Sequence, residues 1–290
     1  MQKIRSLFSK PLSHSFQILS DLHLEVGQQY STFEIPPSAP YLILAGDIGR
    51  LIDYASYLSF LARQTQHFQK VFLVLGNHEF YGLSFTAGLQ QAQKLELEPI
   101  LNSKMVLLHQ TRFDIPDSSI SVLGCTLWSK IGDDARQVVH MKVKDFEKIT
   151  DWSVGDHDAA YEADISWLRG QIAGIQQTYR GKGNAKQGTE RTVVIVTHHA
   201  PSVQETAHPQ HVDNPWSSAF ATDLLDGGDG DWSIVKLWVF GHTHFTTEFV
   251  KKGVRVVSNQ RGYVLPGSVQ KMENGRDKKT VFDVRKVVSM

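Results

Sequence analysis

Three features of the chain predict an α/β fold built on a parallel sheet. Short apolar runs alternate with stretches whose apolar residues recur at helical spacing, the order expected of βαβ units. The runs are continuously apolar, as strands covered on both faces must be. Five of them end in clusters of Asp, Asn and His, and ligands of parallel sheets collect at the carboxyl ends of the strands.

Taken in order, residues 16–20 (FQILS) read as a buried strand delivering Asp21-Leu22-His23. Residues 41–45 (YLILA) end at Gly46-Asp47, and 71–75 (VFLVL) end at Gly76-Asn77-His78-Glu79. Between them, 51–66 carries Leu51, Ile52, Tyr54, Ala55, Leu58, Leu61 and Ala62 as a helix face, and 85–97 is a second helix. A strand over 120–127 ends at Trp128. Residues 129–155 are polar and weakly periodic and read as a long loop or cap, and 157–178 regains helical spacing. A Gly/Lys/Gln-rich stretch, 180–191, reads as a solvated connector. The strand at 192–196 (TVVIV) ends at His198-His199, and 236–240 (KLWVF) ends at Gly241-His242-Thr243-His244. Alternating runs at 246–250, 254–257 and 280–284 read as antiparallel edge strands.

A chain of 290 residues with 41 % hydrophobic side chains can bury one large core or two small ones. No linker separates two cores, so 16–290 reads as a single domain with an insertion at 129–155, and 1–15 as a flexible N-terminal tail. Thirty basic and thirty acidic side chains cancel, which argues against long nucleic acids and membrane surfaces as partners. The one cysteine, Cys125, excludes a disulfide framework and fits a reducing compartment, so a cytoplasmic location is expected. Lys3, Arg5 and Lys10 make organelle targeting by the tail the alternative.

Thirteen histidines, six of them beside Asp, Asn or Gly in the clusters, point to metal. Singly, each cluster also fits a hydrogen-bonded turn. On a strand, positions i and i+2 share a face, so Asp21 with His23, and His242 with His244, each present two donors to one point. Carboxylate, imidazole and amide donors together suit Mn, Fe, Zn or Ni, and Asp47 is the natural bridge between two such ions.

The ordered set Asp21-x-His23, Gly46-Asp47, Gly76-Asn77-His78-Glu79, His198, Gly241-His242-x-His244 resembles the signature of the calcineurin-like metallophosphoesterases. Blocks SDLHLE, LAGDI, GNHEFYG, THHAPS and GHTH, and the turn of residues 259–263, extend the likeness to a group of predicted phosphoesterases. The resemblance implies a four-layer α/β/β/α sandwich with two divalent ions. One would be held by Asp21, His23, Asp47 and His244, the other by Asp47, Asn77, His198 and His242, with His199 in place of His198 as the alternative. It further implies hydrolysis of a phosphomonoester or phosphodiester of a small molecule or nucleotide by a hydroxide bridging the ions. In that reaction Asn77, His199 and Arg261 would stabilise phosphoryl oxygens while His78 protonates the leaving group. A non-catalytic scaffold of the same fold and a nuclease are the competing readings.

Relatives with Gly-Asp-x-x-Asp orient the catalytic histidine with the last Asp. This chain reads Gly46-Asp47-Ile48-Gly49-Arg50, which leaves Asp53 as the candidate partner of His78. Phe80-Tyr81 and Ala200-Pro201, where protein phosphatases carry other residues, argue against that activity. Trp128, Trp152 and Trp216 either line a substrate pocket or pack. Lys130, Arg136, Lys142 and Lys144 either meet phosphate or are solvated. His140, His157, His208 and His211 read as surface histidines. Substrate selectivity is assigned to 128–155, with 204–215 as the other candidate.

Overall fold

The computed structural model of the chain describes residues 14–180, 191–211, 214–227, 230–265, 267 and 281–290. Residues 1–13 of the expected tail and 181–190 of the connector lie outside the described residues. Ser15, expected in the tail, is already in the first strand.

Two sheets pack face to face. The first contains β1 (Ser15–Leu19), β2 (Tyr41–Ala45), β3 (Lys70–Val74) and β4 (Met105–Leu107), all parallel, with the C-terminal β11 (Val287–Ser289) antiparallel against β1. The second runs β5 (Thr111–Asp114), β6 (Ile120–Gly124), β7 (Thr192–Val196), β8 (Val235–Phe240), β10 (Val254–Ser258) and β9 (Glu248–Lys251). Its four central strands are parallel, and β5 and β9 are antiparallel edges.

The continuous apolar runs follow from burial on both sides. In β2, Ile43 and Ala45 face the layer between the sheets, with Phe72, Val74, Val194 and Val196. Leu42 and Leu44 face outward into a second core. There α1 (Tyr54–His67) buries Tyr57, Phe60 and Leu61, and α2 (Phe85–Glu96) buries Ala92 and Leu95. On the other sheet, α5 (Val154–Arg180) sets Ile165, Leu168, Ile172 and Ile175 against Leu123, Val193, Ile195 and Trp238. Helix, sheet, sheet and helix therefore stack in the four layers expected.

Two local expectations are corrected. Residues 129–155 are not one unbroken loop: α3 (Arg136–Lys142), α4 (Asp145–Lys148) and the start of α5 lie within them. Ile131, Ala135, Val139 and Val143 are spaced by four and build a small separate core with Val154 and Ala219. Trp128 and Trp152 pack, Trp128 with only 1 % of its surface exposed. Of the edge strand expected at 280–284, residue 280 lies outside the described residues and 281–284 form no strand; the strand lies at Val287–Ser289 instead, and Asp283 N–H donates to Asn259 Oδ1 at 3.0 Å. β4 is short, and β5 alternates half-buried and exposed residues at an edge, so neither shows as an apolar run.

The turns after β2 and β3 are fastened together by Glu79, fully buried. Its Oε2 accepts the N–H groups of Asp47 (2.9 Å) and Gly76 (2.7 Å), and its Oε1 accepts Ile48 N–H (2.9 Å) and the Tyr57 hydroxyl (2.9 Å). Burial pushes its pKa up to about 7, helped by the Asp47 carboxylate and opposed by His198 and the backbone donors. The turns touch so closely that a Cβ on Gly76 would collide with the Asp47 carboxylate and its backbone nitrogen. Replacing Glu79 by Gln turns an NH2 group toward backbone donors. Each buried donor left unmet costs about 1–3 kcal/mol, so Glu79→Gln is expected to lose about 2–4 kcal/mol in urea unfolding with chelator present. A loss under about 0.5 kcal/mol, the range of an ordinary surface change, would show that the carboxylate does not hold the turns.

Candidate metal centre

All five polar clusters sit just past the carboxyl ends of β1, β2, β3, β7 and β8, so both sheets feed one edge of the sandwich. The chain turns there through left-handed conformations: φ is 51° at Asp21, 47° at His23, 53° at Asp47, 72° at His242 and 50° at His244. Left-handed backbone is uncommon for non-glycine residues, and its concentration on these five marks a built site. It also corrects the strand argument. His242 and His244 lie beyond the ladder and point into different groups, not at one point.

Asp21, His23, Asp47 and His244 bring ligand atoms within 4.8 Å of one another, and so do Asp47, His198 and His242. Asp47 divides its carboxylate between them, with Oδ2 3.8 Å from His23 Nε2 and Oδ1 3.4 Å from His198 Nε2. Asn77 joins the second group, its Oδ1 3.1 Å from His198 Nε2. His199 stands outside the group, fully buried, its ring 4.1 Å from that of His242 and 5.3 Å from Trp128.

The donors fit a pair of divalent ions. His242 Nε2 is buried with no hydrogen-bond partner, and the Nε2 atoms of His23 and His244 face each other at 2.9 Å. His198 Nδ1 donates to the Ala45 carbonyl at 2.9 Å, which turns Nε2 toward Asn77 and Asp47, the position from which it would ligate a metal. Burial, reinforced by neighbouring imidazoles, drives His242 and His199 far below the usual histidine range, toward the neutral form that ligates. Burial would lower His198 as well, but the Asp47 carboxylate outweighs it and raises this group to about 9.

His78 stands beside both groups. Its N–H donates to Asp47 Oδ1 at 2.9 Å, and its Nδ1 lies 2.8 Å from Glu25 Oε1. Burial acts to lower its pKa, but Asp47 and Glu25 raise it to about 9. Glu25 is correspondingly drawn down to about 2 by His23 and His78, against its burial. Glu25 is thus the partner of His78. Asp53 is not: it pairs with Arg50 at 3.1 Å and accepts the Tyr30 hydroxyl at 3.1 Å. On the opposite side of the His78 ring, Nε2 meets the Tyr263 hydroxyl at 3.0 Å.

Asp145, inside the insertion, accepts from Asn77 Nδ2 and from the Tyr81 hydroxyl, each at 2.7 Å. Holding the amide nitrogen turns Asn77 Oδ1 toward His198. The Arg261 guanidinium donates to Leu22 O at 3.1 Å and Gln29 Oε1 at 2.9 Å and lies over Phe33, bracing the loop after β1. Lys130 pairs with Glu162, Arg136 with Asp158 and Lys144 with Glu147, so these cations meet acids of the protein. His157, expected at the surface, is buried and accepts Ser129 N–H at 3.1 Å. Burial lowers its pKa to about 4.

This site, at the edge of a four-layer sandwich, defines a class. Residues 15–245 match the family model of the calcineurin-like phosphoesterases, and the chain belongs to that family. It is 25 % identical over 271 residues to an uncharacterised protein of Acanthamoeba polyphaga mimivirus, covering 84 % of this chain and 90 % of the viral one. In structure it is similar to a phosphopantetheinyl hydrolase of Mycobacterium tuberculosis, with a TM-score of 0.60, 16 % identity and coverage of 86 % and 89 % of the two chains. A dimetal phosphatase of Danio rerio matches with a TM-score of 0.46 and 14 % identity over 84 % and 86 %. Among the described residues, no helix is long and apolar enough to cross a membrane.

Asp145 is the test of how the second ligand group is held. Losing an outer hydrogen-bond partner of a metal ligand costs about 10–100-fold in affinity. Titration of Mn2+ into Asp145→Ala, followed by calorimetry, is therefore expected to show one site weakened by that factor and the other unchanged. Two unchanged sites would exclude Asp145 from orienting Asn77.

Proposed function

We propose that the protein hydrolyses a phosphoester of a small molecule or nucleotide with two divalent ions, Mn, Fe, Zn or Ni. One would be held by Asp21, His23, Asp47 and His244, the other by Asp47, Asn77, His198 and His242. The observation that carries this reading is the sharing of Asp47 between two groups of ligand atoms, with His78 at the rim of both. When bound, the ions supply positive charge against the phosphoryl oxygens and Lewis acidity toward water.

The chain supplies the rest. Glu25 fixes the His78 ring through Nδ1, which leaves Nε2 to donate its proton to the departing oxygen. The Tyr263 hydroxyl now meets the same Nε2, and its side chain, 60 % exposed, also packs its ring on His23 and His244, so a leaving oxygen at Nε2 would have to displace it. His199 is buried with both ring nitrogens unpartnered and packs its ring against His242, while Arg261 acts by holding the loop that carries His23. The buried thiol of Cys125 suits a reducing setting such as the cytoplasm.

Protein reconstituted with Mn2+ is expected to hold two ions per chain by elemental analysis and to cleave a nitrophenyl phosphate or its bis-nitrophenyl diester. Asp47→Ala should lose both ions and nearly all turnover. His78→Ala should keep both ions and be slower by about 10² to 10⁴, with a smaller loss on esters of better leaving groups. Equal losses on nitrophenyl and alkyl esters would remove His78 as the acid. A single bound ion with full activity would contradict the paired site.

A further inference from the structure

A cavity of about 320 Å³ lies against the second ligand group, walled by Trp216, Phe220, Val203 and Ala207. Phe220 is the shared wall. Its ring stacks on the His242 imidazole, with centroids 4.6 Å apart and planes inclined by 24°, and Thr243, next after His242, also lines the space. One phenyl ring therefore touches both the cavity and a candidate ligand. The wall is fixed to the site through the backbone: Ala200 N–H donates to Phe220 O at 3.1 Å, and Thr222 N–H donates back to Ala200 O at 3.1 Å. From behind, Trp216 and Phe220 rest on the small core of the insertion, and Lys142 lies 6.0 Å over the Trp216 ring.

The character of the lining selects its occupant. His211 is the only titratable side chain among the described residues that line it, and the other described walls are apolar or uncharged polar, a lining that favours an uncharged occupant. Two aromatic rings give broad flat walls, and Asn214, Ser217 and Thr243 supply hydrogen-bonding groups. The volume falls at the low end of ligand pockets, about 300–1,000 Å³, which suits one ring system and not a peptide. We propose that this cavity receives the organic part of the substrate, a planar uncharged heteroaromatic group of the nucleobase kind, stacked against Trp216 and Phe220. The proposal deepens the hydrolase reading and rests on it for the phosphoester. It assigns selectivity to the segment around 203–220, with the helices of 129–155 as its support.

Equilibrium dialysis of the full chain against labelled adenosine, with ribose as control, reads the cavity without requiring catalysis. Saturable binding of adenosine and none of ribose is expected. Removing one stacking face weakens base binding by about tenfold, so Trp216→Ala should lose that factor. Ala207→Phe, which fills the cavity from another wall, should do the same and guards against a local collapse in the first variant. In Mn2+-loaded protein, both changes should raise KM for adenosine monophosphate about tenfold more than KM for glycerol phosphate. Absence of adenosine binding, or binding that survives both substitutions, overturns the proposal even if phosphoesters are cleaved. Adenosine binding that follows the expected pattern in a protein that cleaves no phosphoester upholds the cavity's ligand class and overturns the hydrolase reading.

Discussion

The Glu79 carboxylate is the constraint on which the site depends. A parallel sheet ends with backbone amides that have no ladder partner, and two such ends, after β2 and β3, must lie against each other if Asp47 and Asn77 are to face the same space. Glu79 meets that demand by accepting three of those amides within 3 Å together with the Tyr57 hydroxyl of α1. Its acceptors are thereby spent on the backbone, which leaves it out of the ligand groups although it follows His78 directly in sequence. An apolar residue of the same size would leave those donors buried and unmet.

Around that staple the chain adopts backbone conformations that cost energy. Left-handed φ values on Asp21, His23, Asp47, His242 and His244 cost about 1–3 kcal/mol each, and they persist because neighbouring strand ends hold them. Asp21 N–H is bonded to Gly46 O at 3.0 Å, His23 N–H to Asp47 O at 3.0 Å, and Gly241 N–H to His198 O at 2.9 Å. The last contact joins two strands of the second sheet, and His242 N–H to Asp21 Oδ1 at 2.9 Å joins the second sheet to the first. Cross-linking of this kind fixes side chains from five strand ends before any ion arrives, so little ordering is left for binding to accomplish.

Much of this was legible in the sequence, and the reasons for the exceptions are physical. β1, β2, β3, β7 and β8 announce themselves because burial on both faces makes most of each run apolar, with Gln17 in β1 and Lys236 in β8 as polar interruptions. β5 has one exposed face and an edge, so Arg112 and Asp114 mask it. The helices of 129–155 were hidden by surrounding charge, although Ile131, Ala135, Val139 and Val143 carry a clear four-residue spacing. Glu25 and Asp145 were missed for another reason: they act on His78 and Asn77 from 53 and 68 residues away, and nothing near them in sequence records that contact. Asp53 looked better only because it is close to Asp47 along the chain.

The central claim is that two ions share Asp47 in a frame already set by the fold. Anomalous diffraction from crystals of the Mn2+-loaded chain tests it most directly. The account predicts two peaks about 3.5–4 Å apart, one on each side of the Asp47 carboxylate, with Asn77 and His242 at the second. A single peak, or a second one that Asp47 does not touch, would contradict it.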